Sequence, residues 1–361
     1  MLTKTNGHGE EHLLIVPFVQ LSATTIKQLE ERFGQVTVTV HYIEDDSPVP
    51  DDVLQRATIL VTMFYLPDPF RAPNVKLVHV LSAGVDHVLS HPLVQRVGVS
   101  LTSSSGIHGT PIAEWAVMSW LVASRRYQIL QRAQKSHTWD PINEYLNSVE
   151  TQHGKHVGIL GYGSIGRAVA KVAAALGMKV HAYTATARTN PQAKRHTGYL
   201  IPATGDPEGQ LPISWHHGTS REALDKFLSL GLDHIVVAVP LTAQTTALLG
   251  AHEFGILSKN CKSATKPFIT NIARGRVLDH DALAVALESG TLSGAALDMT
   301  DPHPLPESHP LWDVRNLQIT PHISAMTRDY FPSSLDIVYE NLERSRLGEP
   351  LVNEVHTDRG Y

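Results

Sequence analysis

The stretch Val157-Gly158-Ile159-Leu160-Gly161-Tyr162-Gly163-Ser164-Ile165-Gly166-Arg167-Ala168-Val169-Ala170 decides the fold. An apolar run, a turn carrying three glycines and a helix-forming segment follow one another. This strand–turn–helix context gives the G-x-G-x-x-G pattern its meaning. The first glycine permits the tight turn. The second lets the backbone approach a pyrophosphate, and the third lets helix and strand pack closely. The helix start offers N–H groups and the positive end of its dipole. Gly161, Gly163, Ser164, Ile165 and Gly166 are therefore read as dinucleotide-binding residues.

On both sides of this turn, short apolar runs alternate with helical stretches, the signature of an α/β protein. Before it, strands are expected near Leu13–Pro17, Val36–Tyr42, Thr58–Val61, Lys76–Leu81 and Val97–Thr102. A single long helix is expected from Pro111 to Gln134, with Thr110 as its cap. After it, strands are expected at Val157–Leu160, Lys179–Tyr183, His234–Val239, Phe268–Ile272, Gly294–Leu297 and Leu317–Thr320. An amphipathic helix over Ser334–Leu347 closes the pattern. The interval 184–233 spans 50 residues and holds Pro191, Pro202, Pro207 and Pro212. A plain βαβ crossover needs far fewer, so it reads as an inserted surface loop. A lid, a dimer contact and a tolerated insertion all fit that reading.

The chain has 361 residues, 42% of them hydrophobic and 18% charged, which suits two packed domains. A net charge of −5 gives no electrostatic case for nucleic acid or an anionic membrane. Cys261 is the single cysteine, so no internal disulfide forms and a reducing compartment is expected. Met1–Gln20 lacks a basic region followed by a long apolar one, and no segment has the length of a membrane span. Asp358-Arg359-Gly360-Tyr361 matches no retention or peroxisomal signal. A cytoplasmic location is expected. The 21 histidines are scattered, and no carboxylate or cysteine spacing turns them into a metal site.

Ligands of open α/β sheets sit beyond the carboxyl ends of the strands. The residues that end the strands are Ser82-Ala83-Gly84-Val85-Asp86, Ala273-Arg274-Gly275-Arg276, Asp298 and Pro321-His322-Ile323-Ser324. An arginine, a histidine and acidic groups thus gather at strand ends. Arginine clamps a carboxylate with two parallel bonds, and histidine is a general acid/base near neutral pH. With a nicotinamide as hydride source, the set suits reduction of a 2-keto acid.

These segments resemble the D-isomer-specific 2-hydroxyacid dehydrogenase family. The matches, in order, are Ser82–Asp86, Thr110-Pro111-Ile112-Ala113-Glu114, Gly161–Gly166, Val239-Pro240-Leu241-Thr242, Asn271–Gly275, Ala295–Asp298 and Pro321-His322-Ile323. The resemblance implies two Rossmann-like doubly wound domains. One is a split, flavodoxin-like substrate domain (1–125 and 326–361). The other is a central dinucleotide-binding domain (126–325). It also implies a homodimer. Arg274 is expected to bind the substrate carboxylate, with backbone N–H groups around Ala83 and Gly84. His322 is expected to be the acid/base. Val239, Pro240, Ala273 and Asp298 are expected along the cofactor, and Asp298 and His303 also stand with Arg274 and His322 in the expected catalytic set.

Two positions depart from the family. The glutamate that pairs with the catalytic histidine stands five residues after the strand-ending aspartate. Here that position is His303, in Asp301-Pro302-His303-Pro304. Histidine cannot stabilise a neighbouring imidazolium as a carboxylate does, and two adjacent cations depress each other's pKa. Asp301 as a substitute, a neutral His303 that only orients the ring, and weakened catalysis are the open alternatives. The second departure follows Tyr183. No acid appears between Thr184 and Arg188, where NAD-binding members grip the ribose 2′-hydroxyl. Thr184, Thr186 and Arg188 would instead suit a 2′-phosphate, so NADP is favoured, with NAD as the other possibility.

The expected function is reduction of a small 2-keto acid of the glyoxylate or hydroxypyruvate kind. A nucleotide-binding sensor without turnover is the second reading, and a family member using another hydride donor, such as formate or phosphite, is the third.

Overall fold

A computed structural model of the chain describes residues 2–4, 11–34, 36–43, 48–139 and 145–355. Asp358–Tyr361 and part of Met1–Gln20 lie outside the described residues. The chain divides into two compact units, Met1–Ile107 with Arg328–Tyr361, and His108–Thr327.

The first unit holds β1 (Leu2–Lys4), β2 (His12–Val16), β3 (Thr37–Val40), β4 (Ile59–Thr62), β5 (Leu77–Val80) and β6 (Ser100–Ser103). Their order is β1-β3-β2-β4-β5-β6. Apart from the antiparallel edge pair β1–β3, every neighbour is parallel. From β3 to β6 this is the flavodoxin-like arrangement. The strands β2, β4 and β5 are buried on both faces, as crossover helices on both sides require. Along β4, Leu60 joins one core cluster while Ile59 and Val61 join the other. The helix Tyr330–Leu347 returns from the far end of the chain and packs Phe331, Leu335, Val338 and Leu342 against Leu13, Ile15 and Phe33. The split of this unit is thus built into its core.

The second unit holds β7 (His156–Leu160), β8 (Lys179–Thr184), β9 (Ser214–His217), β10 (His234–Val237), β11 (Phe268–Asn271), β12 (Gly294–Leu297) and β13 (Leu317–Ile319). The order is β13-β12-β11-β10-β7-β8-β9, all parallel. The order reverses between β7 and β10, which makes their carboxyl ends the ligand-binding crevice of a dinucleotide fold.

Three expectations change. The unit boundary falls between 107 and 108 rather than at 125. The helix Gly109–Ser124 packs Ile112, Ala113 and Ala116 against Val157, Ile159 and Ala168 of the second unit. The long helix expected to Gln134 is two helices, Gly109–Ser124 and Tyr127–Lys135, separated by Arg126 with a left-handed φ of 47°. The interval 184–233 is not one surface loop. It contains the edge strand β9 and the helix Arg221–Leu228, whose Leu224, Phe227 and Leu228 are buried against the sheet.

Candidate active site

The glycine turn lies at the carboxyl end of β7. Gly161 has φ +94°, and a Cβ there would overlap the Ala238 carbonyl at the end of β10. A Cβ on Gly166 would overlap the Gly161 carbonyl. These two glycines are therefore required by the protein's own packing. Gly163 is different: a Cβ there would meet nothing within 4 Å. The space in front of Gly163 is open, and the helix Ser164–Ala175 starting behind it has no side-chain cap. An uncapped N-terminus facing open space is what a pyrophosphate needs. The residues present therefore fit a dinucleotide. Val239 and Pro240 follow β10, with the Val239 nitrogen beside Gly161, and Ala273 lies buried after β11.

Beyond β8, Thr184 donates to the Thr186 carbonyl at 2.7 Å and Arg188 donates through Nη1 to the Ala193 carbonyl at 2.8 Å. The first acid after β8, Asp206, is buried, and its Oδ2 accepts the Tyr162 hydroxyl at 2.8 Å. It is thereby engaged by the glycine turn itself.

Arg274 is presented by a loop that Asn271 staples. The Asn271 side chain accepts the Ala273 N–H at 3.1 Å and donates to the Arg274 carbonyl at 3.0 Å. Gly275 then lies so close to the backbone of Thr300 that no side chain fits. That approach joins the ends of β11 and β12.

Asp298, 3% exposed, holds the loop that carries His322. Its carboxylate accepts the Thr320 hydroxyl at 2.6 Å, the Ile323 N–H at 2.9 Å and the Ser324 N–H at 3.0 Å. The Ser324 hydroxyl donates to the same carboxylate. Its carbonyl accepts the His322 N–H at 3.0 Å, with His322 at a left-handed φ of 56°. A non-glycine residue in that region is costly unless its surroundings fix it, and here Asp298 does.

His303 and His322 meet edge to face, ring centroids 5.2 Å apart. Crowding by protein atoms lowers the His322 pKa below its ordinary 6.5. Asp298 opposes that shift, while His303 and Arg274 reinforce it. Arg274 and His303 thus both act on His322. Asp301 acts on His280 instead, whose pKa it raises against a larger lowering by burial.

A third histidine, His108, feels the His322 charge as well. It is buried at the start of the helix Gly109–Ser124, and burial and the His322 charge lower its pKa to about 4. Gly109 next to it would carry a Cβ 3.2 Å from the Ser164 carbonyl, so His108 enters beside the dinucleotide turn. The glycine after His108 was the available signal. Trp115 is core, and Trp139 is almost fully exposed. Ala83 and Gly84 follow β5 in the first unit, where the Ser82 hydroxyl donates to the Gly84 carbonyl at 2.6 Å. Among the described residues, Asp225, His252 and Glu253 alone have side-chain atoms grouped closely enough to hold a metal ion, and none belongs to this set.

The family model of the D-isomer specific 2-hydroxyacid dehydrogenase NAD binding domain matches residues 117–202 and 207–324. The glyoxylate reductase of Thermofilum pendens is 30% identical over 279 residues, covering 77% of this chain and 74% of that protein. Glyoxylate/hydroxypyruvate reductase A of Salmonella paratyphi C is 29% identical over 294 residues, 80% of this chain and 82% of that one. Two solved structures superpose at TM-score 0.73. One is the NADPH-dependent glyoxylate/hydroxypyruvate reductase of Sinorhizobium meliloti in complex with NADP and sulfate, at 25% identity, covering 97% of this chain and 100% of that one. The other is a D-isomer specific 2-hydroxyacid dehydrogenase of Xanthobacter autotrophicus in complex with NADPH and MES, at 27% identity, covering 97% and 99%. This chain belongs to the D-isomer-specific 2-hydroxyacid dehydrogenase family.

Proposed function

We propose that the protein reduces a small 2-keto acid of the glyoxylate or hydroxypyruvate class to the D-2-hydroxy acid, with NADPH favoured over NADH. The observation that carries this is the Arg274 charge acting on His322, with their loops held by Asn271 and Asp298, at the strand ends that also bear the open glycine turn. The relatives that act on glyoxylate and hydroxypyruvate, and the relatives solved with NADP or NADPH, support both halves of the reading.

The reduced nicotinamide, when bound, supplies the hydride to the keto carbon. Gly161, Gly163 and the N–H groups of Ser164, Ile165 and Gly166 would hold its pyrophosphate, with Val239, Pro240 and Ala273 alongside. Thr184 and Arg188 would take a 2′-phosphate, since the one nearby acid, Asp206, is turned to Tyr162. The Arg274 guanidinium pairs with the substrate carboxylate, whose one negative charge its planar fork matches. Protonated His322 gives its proton to the carbonyl oxygen, which becomes the hydroxyl of the product. Asp298 keeps the His322 loop in place for that transfer. The His303 ring packs edge to face against His322 and orients it.

Two finer points complete the reading. A homodimer fits the exposed apolar Met118, Leu121, Tyr127 and Leu146 along one stretch of the second unit. A cytoplasmic setting fits the lone thiol of Cys261. Among the described residues, no helix is long and apolar enough to cross a membrane.

The test is absorbance at 340 nm with purified protein, glyoxylate or hydroxypyruvate, and NADPH or NADH. Faster oxidation of NADPH supports the reading. Tight NADPH binding with no turnover on any 2-keto acid would replace it with the sensor.

A further inference from the structure

The segment 185–213 lies against the dinucleotide turn, and one buried carboxylate makes the join. Asp206 is 6% exposed. Its Oδ2 accepts the Tyr162 hydroxyl at 2.8 Å and the Leu211 N–H at 3.1 Å, and its Oδ1 accepts the Gln210 N–H at 3.0 Å. Tyr162 is the residue between Gly161 and Gly163. Arg167, 3% exposed on the helix behind the turn, donates to the Asp206 carbonyl and, at 2.6 Å, to the Lys194 carbonyl. Ala193, next to Lys194, accepts from Arg188. An unbroken path of bonds therefore leads from Tyr162 through Asp206, Arg167 and residues 193–194 to Arg188.

The placement matters because the turn is built on glycines. Two glycines flank Tyr162, one at positive φ and one facing open space. Such a backbone loses much conformational entropy when a pyrophosphate orders it. Here the Tyr162 ring is already fixed on three sides. Trp215 meets it edge-on at 4.9 Å, the Arg167 guanidinium covers its face at 5.0 Å, and Asp206 takes its hydroxyl. Burial, then the Asp206 charge, push the phenol above its usual range, so Tyr162 stays the donor. A site ordered before its ligand arrives binds more tightly for the same contacts.

We propose that Asp206 and Tyr162 are positioning residues for the dinucleotide, fixing the glycine turn for the pyrophosphate and tethering Arg188 for the 2′-phosphate. This rests on the dinucleotide reading above. It makes the segment 185–213 part of the cofactor site and Asp206 the residue that holds it there.

The experiment is fluorescence titration of the full chain with NADPH and with NADH, in wild type, Tyr162→Phe, Asp206→Ala and Asp206→Asn, beside kcat at saturating NADPH. Tyr162→Phe keeps the ring and removes one buried bond. It is expected to weaken both cofactors about tenfold, with kcat within about twofold of wild type. Asp206→Ala is expected to weaken both and to lower the NADPH-over-NADH preference, because it frees the segment carrying Arg188. Asp206→Asn keeps the shape and one acceptor and is expected to recover part of the loss. Trypsin cleavage of the cofactor-free protein within 188–195 is expected to quicken in Asp206→Ala. Unchanged Kd for both cofactors in Tyr162→Phe, or a fall in kcat with Kd intact, overturns the proposal while leaving the function reading in place. If Asp206→Ala does not fold, Tyr162→Phe decides. A wild type that binds neither dinucleotide overturns the function reading and this proposal with it.

Discussion

The rings of His303 and His322 stand edge to face, with centroids 5.2 Å apart and planes inclined at 67°. The position where the family resemblance implies a glutamate thus sets an imidazole against His322. An imidazole there withdraws what a carboxylate would give. The His303 charge lowers the His322 pKa, adding to the larger effect of burial and to the Arg274 charge, while Asp298 alone opposes them. The His303 ring still orients its neighbour by edge-to-face packing. Proton donation by His322 is then expected over a pH range shifted toward acid.

That shift has a definite sign. Reduction needs the protonated imidazole, which is present below the His322 pKa and lost as pH rises through it. With the pKa lowered from 6.5, the basic limb of kcat/KM for reduction is expected below neutrality. His303→Glu places an anion beside the ring and is expected to move that limb upward by about one pH unit. A pH–rate profile of the two proteins checks this. An unmoved limb would mean that position 303 does not act on the proton donor.

Arg274→Ala is expected to raise KM for the keto acid by about a hundredfold or more, because a charge-assisted, two-point grip on a carboxylate is lost. Arg274→Lys keeps the charge but not the planar fork, and is expected to recover only part of the loss. Steady-state kinetics on both variants decide. Equal kinetics in Arg274→Ala and wild type would remove Arg274 from the site.

Arg188→Ala is expected to weaken NADPH about tenfold and leave NADH within about twofold, since one charge-assisted contact to the extra phosphate is worth roughly that much. Binding titrations with the two cofactors separate the outcomes. Equal weakening of both would show that Arg188 serves the fold of the 185–213 segment and not the phosphate.

Legibility in the sequence followed the range over which each feature is determined. The glycine turn was readable because local backbone sterics demand its residues. Gly161 and Gly166 have no room for a Cβ, whatever lies further off. Arg274, Asp298 and His322 were readable because the strands before them are continuous apolar runs, which fixes where each strand ends. The strand Ser214–His217 was not readable. It is a short, polar edge strand, and none of its residues is fully buried. It is held by pairing to β8 and by side-chain bonds such as His181 to Ser214 at 2.7 Å. The helix Arg221–Leu228 did carry a signal, with Ser220 as cap and Leu224, Phe227 and Leu228 at helical spacing. The break at Arg126 had none, being neither glycine nor proline. Its left-handed φ costs ~1–2 kcal/mol and is tied down by a bond from its Nε to the Ser148 carbonyl. The role of Asp206 was equally hidden, since 44 residues separate it from the tyrosine it holds.

Asp298→Asn tests the support of the acid/base loop. The carboxylate accepts from Thr320, Ile323 and both the N–H and the hydroxyl of Ser324, and it is almost wholly buried. An amide keeps its shape but turns an NH2 toward groups that donate, leaving buried donors without acceptors. The expected loss of stability is about 1–3 kcal/mol, read from the urea midpoint at unchanged m-value. The same substitution removes the charge that raises the His322 pKa. The basic limb of the pH profile is therefore expected to move downward, opposite to the shift in His303→Glu. A stability loss with an unmoved limb would make Asp298 a scaffold for the loop and nothing more. Opposite shifts in the two variants would show that the proton on His322 is set by the balance between Asp298 and position 303.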